Sequence, residues 1–224
     1  MDKTIAPARE PMLSSMRELL LALPHDIIIV SGSTLEQIAF QTNKMPAYTL
    51  GIGGNHATDY TDTELWTNPP LTDDHKAEIH AHITAIKALV EHDINEDWKP
   101  IEDRGAQITF SPIGNVAPVE LKHTYDPDRS KRLQWLEATP FESEDLIVKI
   151  GGSTSFDYLH KDRHKGANVA RLIEHMGWDK DECVYYGDGL VPGGNDEVVI
   201  GVIDTVLVTD HLDTYGKLRE RFLG

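Results

Sequence analysis

Cys183-Val184-Tyr185-Tyr186-Gly187-Asp188-Gly189-Leu190-Val191-Pro192-Gly193-Gly194-Asn195-Asp196 is the stretch on which the fold turns. Its first four residues form a short apolar and aromatic run of the kind that becomes a strand buried on both faces. A loop with four glycines and two aspartates follows. Glycine lets a backbone turn sharply and approach a ligand closely. Carboxylates set by such a loop at the carboxyl end of a parallel strand suit Mg²⁺, which takes one or two of them beside water and phosphate oxygens. The plain alternative is a glycine-rich turn with solvated aspartates. The whole string favours the metal site, with Asp188 and Asp196 as ligands.

On either side of this stretch, strands and helices alternate. Residues 165–176 carry Val169, Leu172, Ile173 and Met176 at helical spacing and stop at Gly177. Runs at 198–203 and 206–208 read as further buried strands, and 213–223 as a closing helix. Near the other end of the chain, 13–23 is an amphipathic helix stopped by Pro24. The continuous run Ile27-Ile28-Ile29-Val30 reads as a buried strand. Ser31-Gly32-Ser33 turns the chain into another helix, with Ser33 and Glu36 as a capping box.

The rhythm changes at Asn68-Pro69-Pro70. A long helix opens at Asp73 with Ile79, Ile83, Ile86, Leu89 and Val90 on one stripe. Then come a strand at 107–110, a helix at 130–137, and strands at 146–150 and 154–158 joined by Gly151-Gly152. None of these reads as continuously buried. The expected fold is α/β: a Rossmann-like parallel-sheet core formed by 1–72 and 159–224, with an α+β cap inserted at 73–158.

The formal charge of −16 argues against nucleic acid, whose phosphates need a basic face. An acidic protein that handles phosphate needs a cation and a few placed basic groups. No apolar run reaches the ~20 residues of a membrane span, and no secretory signal is present. The single cysteine, Cys183, excludes an internal disulfide and fits a cytoplasmic location. The histidines show no ligand spacing; His80 and His82, two apart on a helix, read as surface residues.

The string from Gly187 to Asp196 resembles the fourth motif of the haloacid-dehalogenase-like superfamily, in the form of the eukaryotic-type phosphomannomutases. His164-Lys165-Gly166 at a helix start is similar to the third motif, and Ser31 after its strand to the second. Met1-Asp2-Lys3-Thr4-Ile5-Ala6-Pro7-Ala8-Arg9 resembles the end of the first motif, Asp-x-Asp-x-Thr. The resemblance implies Asp2, Ser31 and Lys165 as catalytic residues, and Asp2, Asp188 and Asp196 around Mg²⁺. It also implies a nucleophilic aspartate, and the strand carrying it, ahead of Met1.

The cap strings 101–114 and 151–157 resemble the phosphomannomutase cap. They imply Arg104, Lys122, Asn115, Ser155 and Asp157, together with Ser33, as contacts to a hexose phosphate, and a homodimer formed through the cap. Asn115 and Lys122 stand where that family has arginines, which weakens the phosphate clamp, because arginine grips phosphate in a bidentate way that lysine does not. The expected activity is interconversion of mannose 6-phosphate and mannose 1-phosphate through an aspartyl phosphate. A sugar-phosphate phosphatase is the first alternative, and a non-catalytic sugar-phosphate binding protein the second.

Overall fold

The computed structural model describes residues 1–224. It divides into two compact units: Met1–Asn68 with Arg163–Pro192 and Asp196–Gly224, and Pro69–Asp162 with Gly193–Asn195. No helix is long and apolar enough to cross a membrane.

In the first unit, helix α1 (Ser14–Ala22) leads into strand β1 (Ile28–Val30) and helix α2 (Leu35–Gln41). The capping box of α2 is made by Thr34 and Gln37, one residue beyond the expected Ser33 and Glu36. Strands β2 (Tyr48–Gly51), β3 (His56–Thr58) and β4 (Glu64–Thr67) complete a four-stranded sheet in the order β1-β2-β3-β4. Only the β1–β2 pair in it is parallel.

The second unit opens with α3 (Asp73–Lys87), β5 (Ile101–Asp103) and β6 (Gln107–Phe110). Helices α4 (Val119–Tyr125) and α5 (Ser130–Ala138) follow, then β7 (Leu146–Gly151) and β8 (Ser155–His160). Its sheet is antiparallel in the order β5-β6-β8-β7. Contrary to the sequence reading, β6 is buried at every position. Gln107 and Thr109 satisfy each other by a hydrogen bond of 3.1 Å, so two polar residues conceal a buried strand. His82 is also buried, not superficial. Its Nε2 donates to the Thr139 carbonyl at 2.6 Å and its Nδ1 accepts from the Tyr158 hydroxyl at 2.9 Å.

The chain returns to the first unit with α6 (Lys165–Met176), β9 (Val184–Gly187), β10 (Asp204–Leu207) and α7 (His211–Phe222). Residues 198–203, expected as a strand, form a short 3₁₀ turn and an isolated bridge instead. Gly201, at φ 85°, turns the chain there. β9 and β10 form a separate parallel pair. The expected single parallel sheet is thus two sheets.

The two sheets share one cavity of about 340 Å³, lined by Ile28 and Val30 of β1, Val184 and Tyr185 of β9, and Leu172 and Leu218 from α6 and α7. On β1, the Ile27 carbonyl and the Ser31 N–H are bonded to β2. Strand alternation therefore turns the amides of Ile28 and Val30 toward the cavity. Met1 and Thr4 also line it.

Candidate active site

Every residue expected to be catalytic or to hold metal lies in the first unit, most of them at strand ends or a helix start. Ser31 follows β1 and is buried; its N–H donates to the Leu50 carbonyl at 3.0 Å. Its Oγ accepts from the Ser33 N–H at 3.1 Å, so the expected Ser31 and Ser33 form one turn. Lys165 is the first residue of α6, whose N-cap His164 accepts from the Ala167 N–H at 3.2 Å. The Lys165 ammonium reaches Asp196 Oδ1 at 2.7 Å.

Asp196 is only 3% exposed. Its Oδ1 also accepts from the Tyr185 hydroxyl at 2.8 Å, and its Oδ2 from the Gly189 N–H at 3.1 Å. A Cβ on Gly187 would stand 2.7 Å from Oδ2, so the first glycine of the loop makes room for this carboxylate. Burial alone would raise the Asp196 carboxyl. The Lys165 ammonium outweighs it, with the Met1 amine and the Tyr185 hydroxyl, and brings the pKa down to about 2. Burial, and then the Asp196 charge, push the Tyr185 hydroxyl well above its ordinary range.

Asp188 follows β9, and its Oδ1 accepts from the Thr4 hydroxyl at 3.1 Å. Asp2 faces another partner: its Oδ1 accepts from Gln41 Nε2 at 2.6 Å and from the Arg9 N–H at 3.0 Å. Lys165, Asp196, Asp188 and Asp2 all act electrostatically on the Met1 nitrogen, whose pKa burial lowers first of all. Tyr185 and Gln41 were not expected here. Tyr185 sits one place along a strand whose apolar pattern explained it fully, and Gln41 ends a helix with no motif around it.

Asp196, Asp188 and Asp2 set three carboxylates against the Lys165 ammonium and the Met1 amine. No group of three His, Cys, Asp or Glu is arranged as a metal cage. The oxygen donors fit Mg²⁺ in a narrower way. Asp196 already accepts from three donors and Asp2 from Gln41, so Asp188 would be the carboxylate to offer a Mg²⁺ ion, with Asp196 as its support.

A haloacid-dehalogenase-like hydrolase from B. subtilis matches this structure with a TM-score of 0.64 over 99% of this chain and 97% of that one, at 11% identity. The fold is that of the haloacid-dehalogenase-like hydrolases. The same fold relates the chain to an IMP-nucleotidase from Plasmodium falciparum, at TM-score 0.63 and 13% identity, covering 97% of this chain. The chain spans 65% of that nucleotidase. A trehalose-6-phosphate phosphatase related protein matches at TM-score 0.54 and 11% identity, over 98% of this chain and 93% of that one. No family model matches the sequence, and no curated protein is similar to it at a significant level.

The residues expected to meet substrate stand, apart from Ser33, in the second unit of this dehalogenase-like fold. Arg104 Nη2 donates to Glu102 at 2.7 Å. Asn115 is buried, its amide donating to the carbonyls of Lys99 at 2.9 Å and Pro100 at 3.2 Å. Lys122 donates to the Asn115 carbonyl, so the two residues at the arginine positions meet each other. The Ser155 hydroxyl donates to the Gly151 carbonyl at 2.9 Å, and Asp157 accepts from the Thr109 hydroxyl at 2.9 Å on the facing strand β6.

Proposed function

We propose that this protein is a Mg²⁺-dependent phosphotransferase acting on hexose phosphates, with phosphomannomutase chemistry as the first reading. The observation that carries it is the grouping of Lys165, Asp196 and Asp188 about the Met1 nitrogen, with Thr4 bonded to Asp188 and Ser31 bonded to Gly53, which Lys165 lies against. An ammonium, hydroxyls and carboxylates so placed suit a transferring phosphoryl group. An IMP-nucleotidase and a trehalose-6-phosphate phosphatase related protein share the fold, which supports a phosphate ester as the substrate class.

The cavity between β1 and β9 supports the further proposal of one more parallel strand, with the nucleophilic aspartate at its end. β1 turns amides toward the cavity, the lining is largely apolar, and Met1 stands at its border. A strand joined to Met1 would deliver its last carboxylate among Lys165, Asp188 and Asp196.

In this scheme a phosphoryl group leaves an ester oxygen of a hexose bisphosphate for the carboxylate, and that oxygen takes a proton. The acyl phosphate then passes the group to the other hydroxyl of the mannose phosphate, which loses a proton. Asp2 carries both protons as general acid and base, turning from Gln41 to do so. Lys165 and the Ser31 hydroxyl hold the phosphoryl oxygens. Mg²⁺ at Asp188 would neutralise charge on the phosphate. Arg104, Lys122, Ser155 and Asp157 are proposed to hold the sugar phosphate, in a homodimer formed through the second unit.

A phosphatase is the second reading, and one observation favours it. The Asn115 amide is spent on the backbone and Lys122 is turned onto Asn115. A mutase must grip its intermediate while the sugar turns over; a phosphatase releases it. Mannose 1-phosphate supplied with a hexose bisphosphate, to protein carrying the upstream strand, separates the two. Mannose 6-phosphate as product supports the mutase, free phosphate the phosphatase, and neither product the binding protein.

A further inference from the structure

Asn168 lies one turn along α6 from Lys165 and is 3% exposed. Its Nδ2 faces three carbonyls: Arg163 at 2.8 Å, His164 at 3.2 Å and Gly53 at 3.3 Å. Its Oδ1 accepts from Asn68 Nδ2 at 3.4 Å. Three carbonyls on one side fix the orientation of the amide, because an oxygen there would be repelled. Asn68 also donates to Asn55 Oδ1 at 3.2 Å, accepts from Arg171 at 3.0 Å, and bonds through its N–H to the Asn55 carbonyl at 2.7 Å. Asn55, fully buried, donates back to the Ile52 carbonyl at 2.8 Å.

The topology gives this network its meaning. The chain leaves the first unit after Asn68 and returns to it at Arg163. Asn168 therefore holds the last residue before one crossing and the first residue after the other. The loop it also holds, through the Gly53 carbonyl, reaches the opposite side of the site, since the Gly53 N–H donates to the Ser31 carbonyl at 2.6 Å. A Cβ on Gly54, at φ 108°, would stand 2.1 Å from Asn168 Cβ, so the loop and the helix meet too closely for any other residue.

We infer that Asn168 is a positioning residue, which locks the start of α6 with Lys165 to the Ser31 turn and ties the two ends of the 69–162 excursion to the same point. Its importance for chemistry rests on the proposed roles of Lys165 and Ser31. The tie itself does not.

Amide hydrogen exchange tests the tie without catalysis. In Asn168→Asp at pH 7, a carboxylate faces the three carbonyls, so protection at Asn68, Gly53 and 164–168 falls at least tenfold. β10 and α7 keep theirs. Protonating the new carboxyl at pH 5 restores one donor, and local protection returns in part. Asn68→Ala, which leaves Asn168 on the second crossing, loosens residues 53–55 and 68 alone. Unchanged protection in both variants overturns the inference. So does a loss spread evenly to β10 and α7, or a loss in Asn168→Asp that pH 5 does not lessen. If the tie holds while protein given the added strand shows no phosphoryl transfer, the functional reading fails and the positioning role stands.

Discussion

Two buried ion pairs, one in each unit, look alike and do different things. Lys165 meets Asp196 at 2.7 Å in the first unit, and Arg132 meets Asp126 at 2.6 Å in the second. All four side chains are buried or nearly so. The second pair closes on itself. Arg132 Nη1 donates to the carbonyls of Gly151 at 2.9 Å and Ser155 at 3.3 Å and Nη2 to that of Asp126 at 3.4 Å, while Asp126 caps the start of α5 through the Lys131 and Arg132 amides. It fastens the β7–β8 hairpin to a helix. Around the first pair stand the Tyr185 hydroxyl, bonded to Asp196, and the Met1 nitrogen, on which Asp188 and Asp2 also act. Burial and pairing alone do not mark a functional site; the proposed function rests on the company of the pair.

The largest expected effect separates them by activity. Lys165→Met in strand-bearing protein should lower phosphoryl transfer by about a thousandfold or more, in line with removal of a group that stabilises transition-state charge. Arg132→Met should leave the rate per folded molecule within about threefold of the parent. A comparable loss in both would erase the distinction. For stability the order reverses in its consequence: Arg132→Met strands Asp126 in the interior and should cost ~3–5 kcal/mol in denaturant unfolding. A cost below ~1 kcal/mol would show that the backbone carbonyls, not the ion pair, hold the hairpin.

Acid sharpens the comparison further. The Asp196 carboxyl falls to about 2 in the folded protein from an ordinary 3.8. Its contribution is complete above pH ~4 and is lost as pH falls toward 2, a change of about 2 kcal/mol. Asp196→Asn should remove that part of the acid transition.

A smaller effect belongs to His82, whose pKa burial lowers from 6.5 against the opposing Thr139 carbonyl. The unfolded chain then binds the proton more readily, so stability declines as pH drops below 6.5. His82→Gln should flatten this part of the melting-temperature profile, and an unaltered profile would remove His82 as its source.

How much of this was legible from residues alone depended on where polar groups hide. Continuous apolar runs announced β1 and β9, and helical stripes announced α1, α3, α6 and α7. The segment 198–203 carries the same apolar signature, yet a glycine in the left-handed region turns it, and only packing shows that. Strands β2 to β4 were missed because they are short, mostly antiparallel and polar at their outward positions. His82 read as surface because a histidine two residues from another on a helix gives no sign of Tyr158, which is 76 positions away.

At the candidate site, motif spacing is what singled out Asp188, Asp196, Lys165 and Ser31. Tyr185, Gln41 and Asn168 could not, since each acts through a hydrogen bond to a distant segment. The inward turn of Asn115 was equally hidden: its carbonyl partners at Lys99 and Pro100 are brought near only by the turn after β6.

In the proposed function the ends of β1, β9 and α6 form a phosphoryl-transfer site completed by a strand in the cavity between β1 and β9. The direct measurement adds an apolar strand ending in aspartate ahead of Met1, with an asparagine-ended strand as control. Each protein is incubated with a hexose phosphate and Mg²⁺, quenched in acid, and weighed by intact mass spectrometry. The predicted result is a phosphate adduct on the aspartate-ended protein, sensitive to hydroxylamine, absent from the asparagine control, and accompanied in both by a higher melting temperature. Equal turnover by the 224-residue chain without either strand would contradict the account.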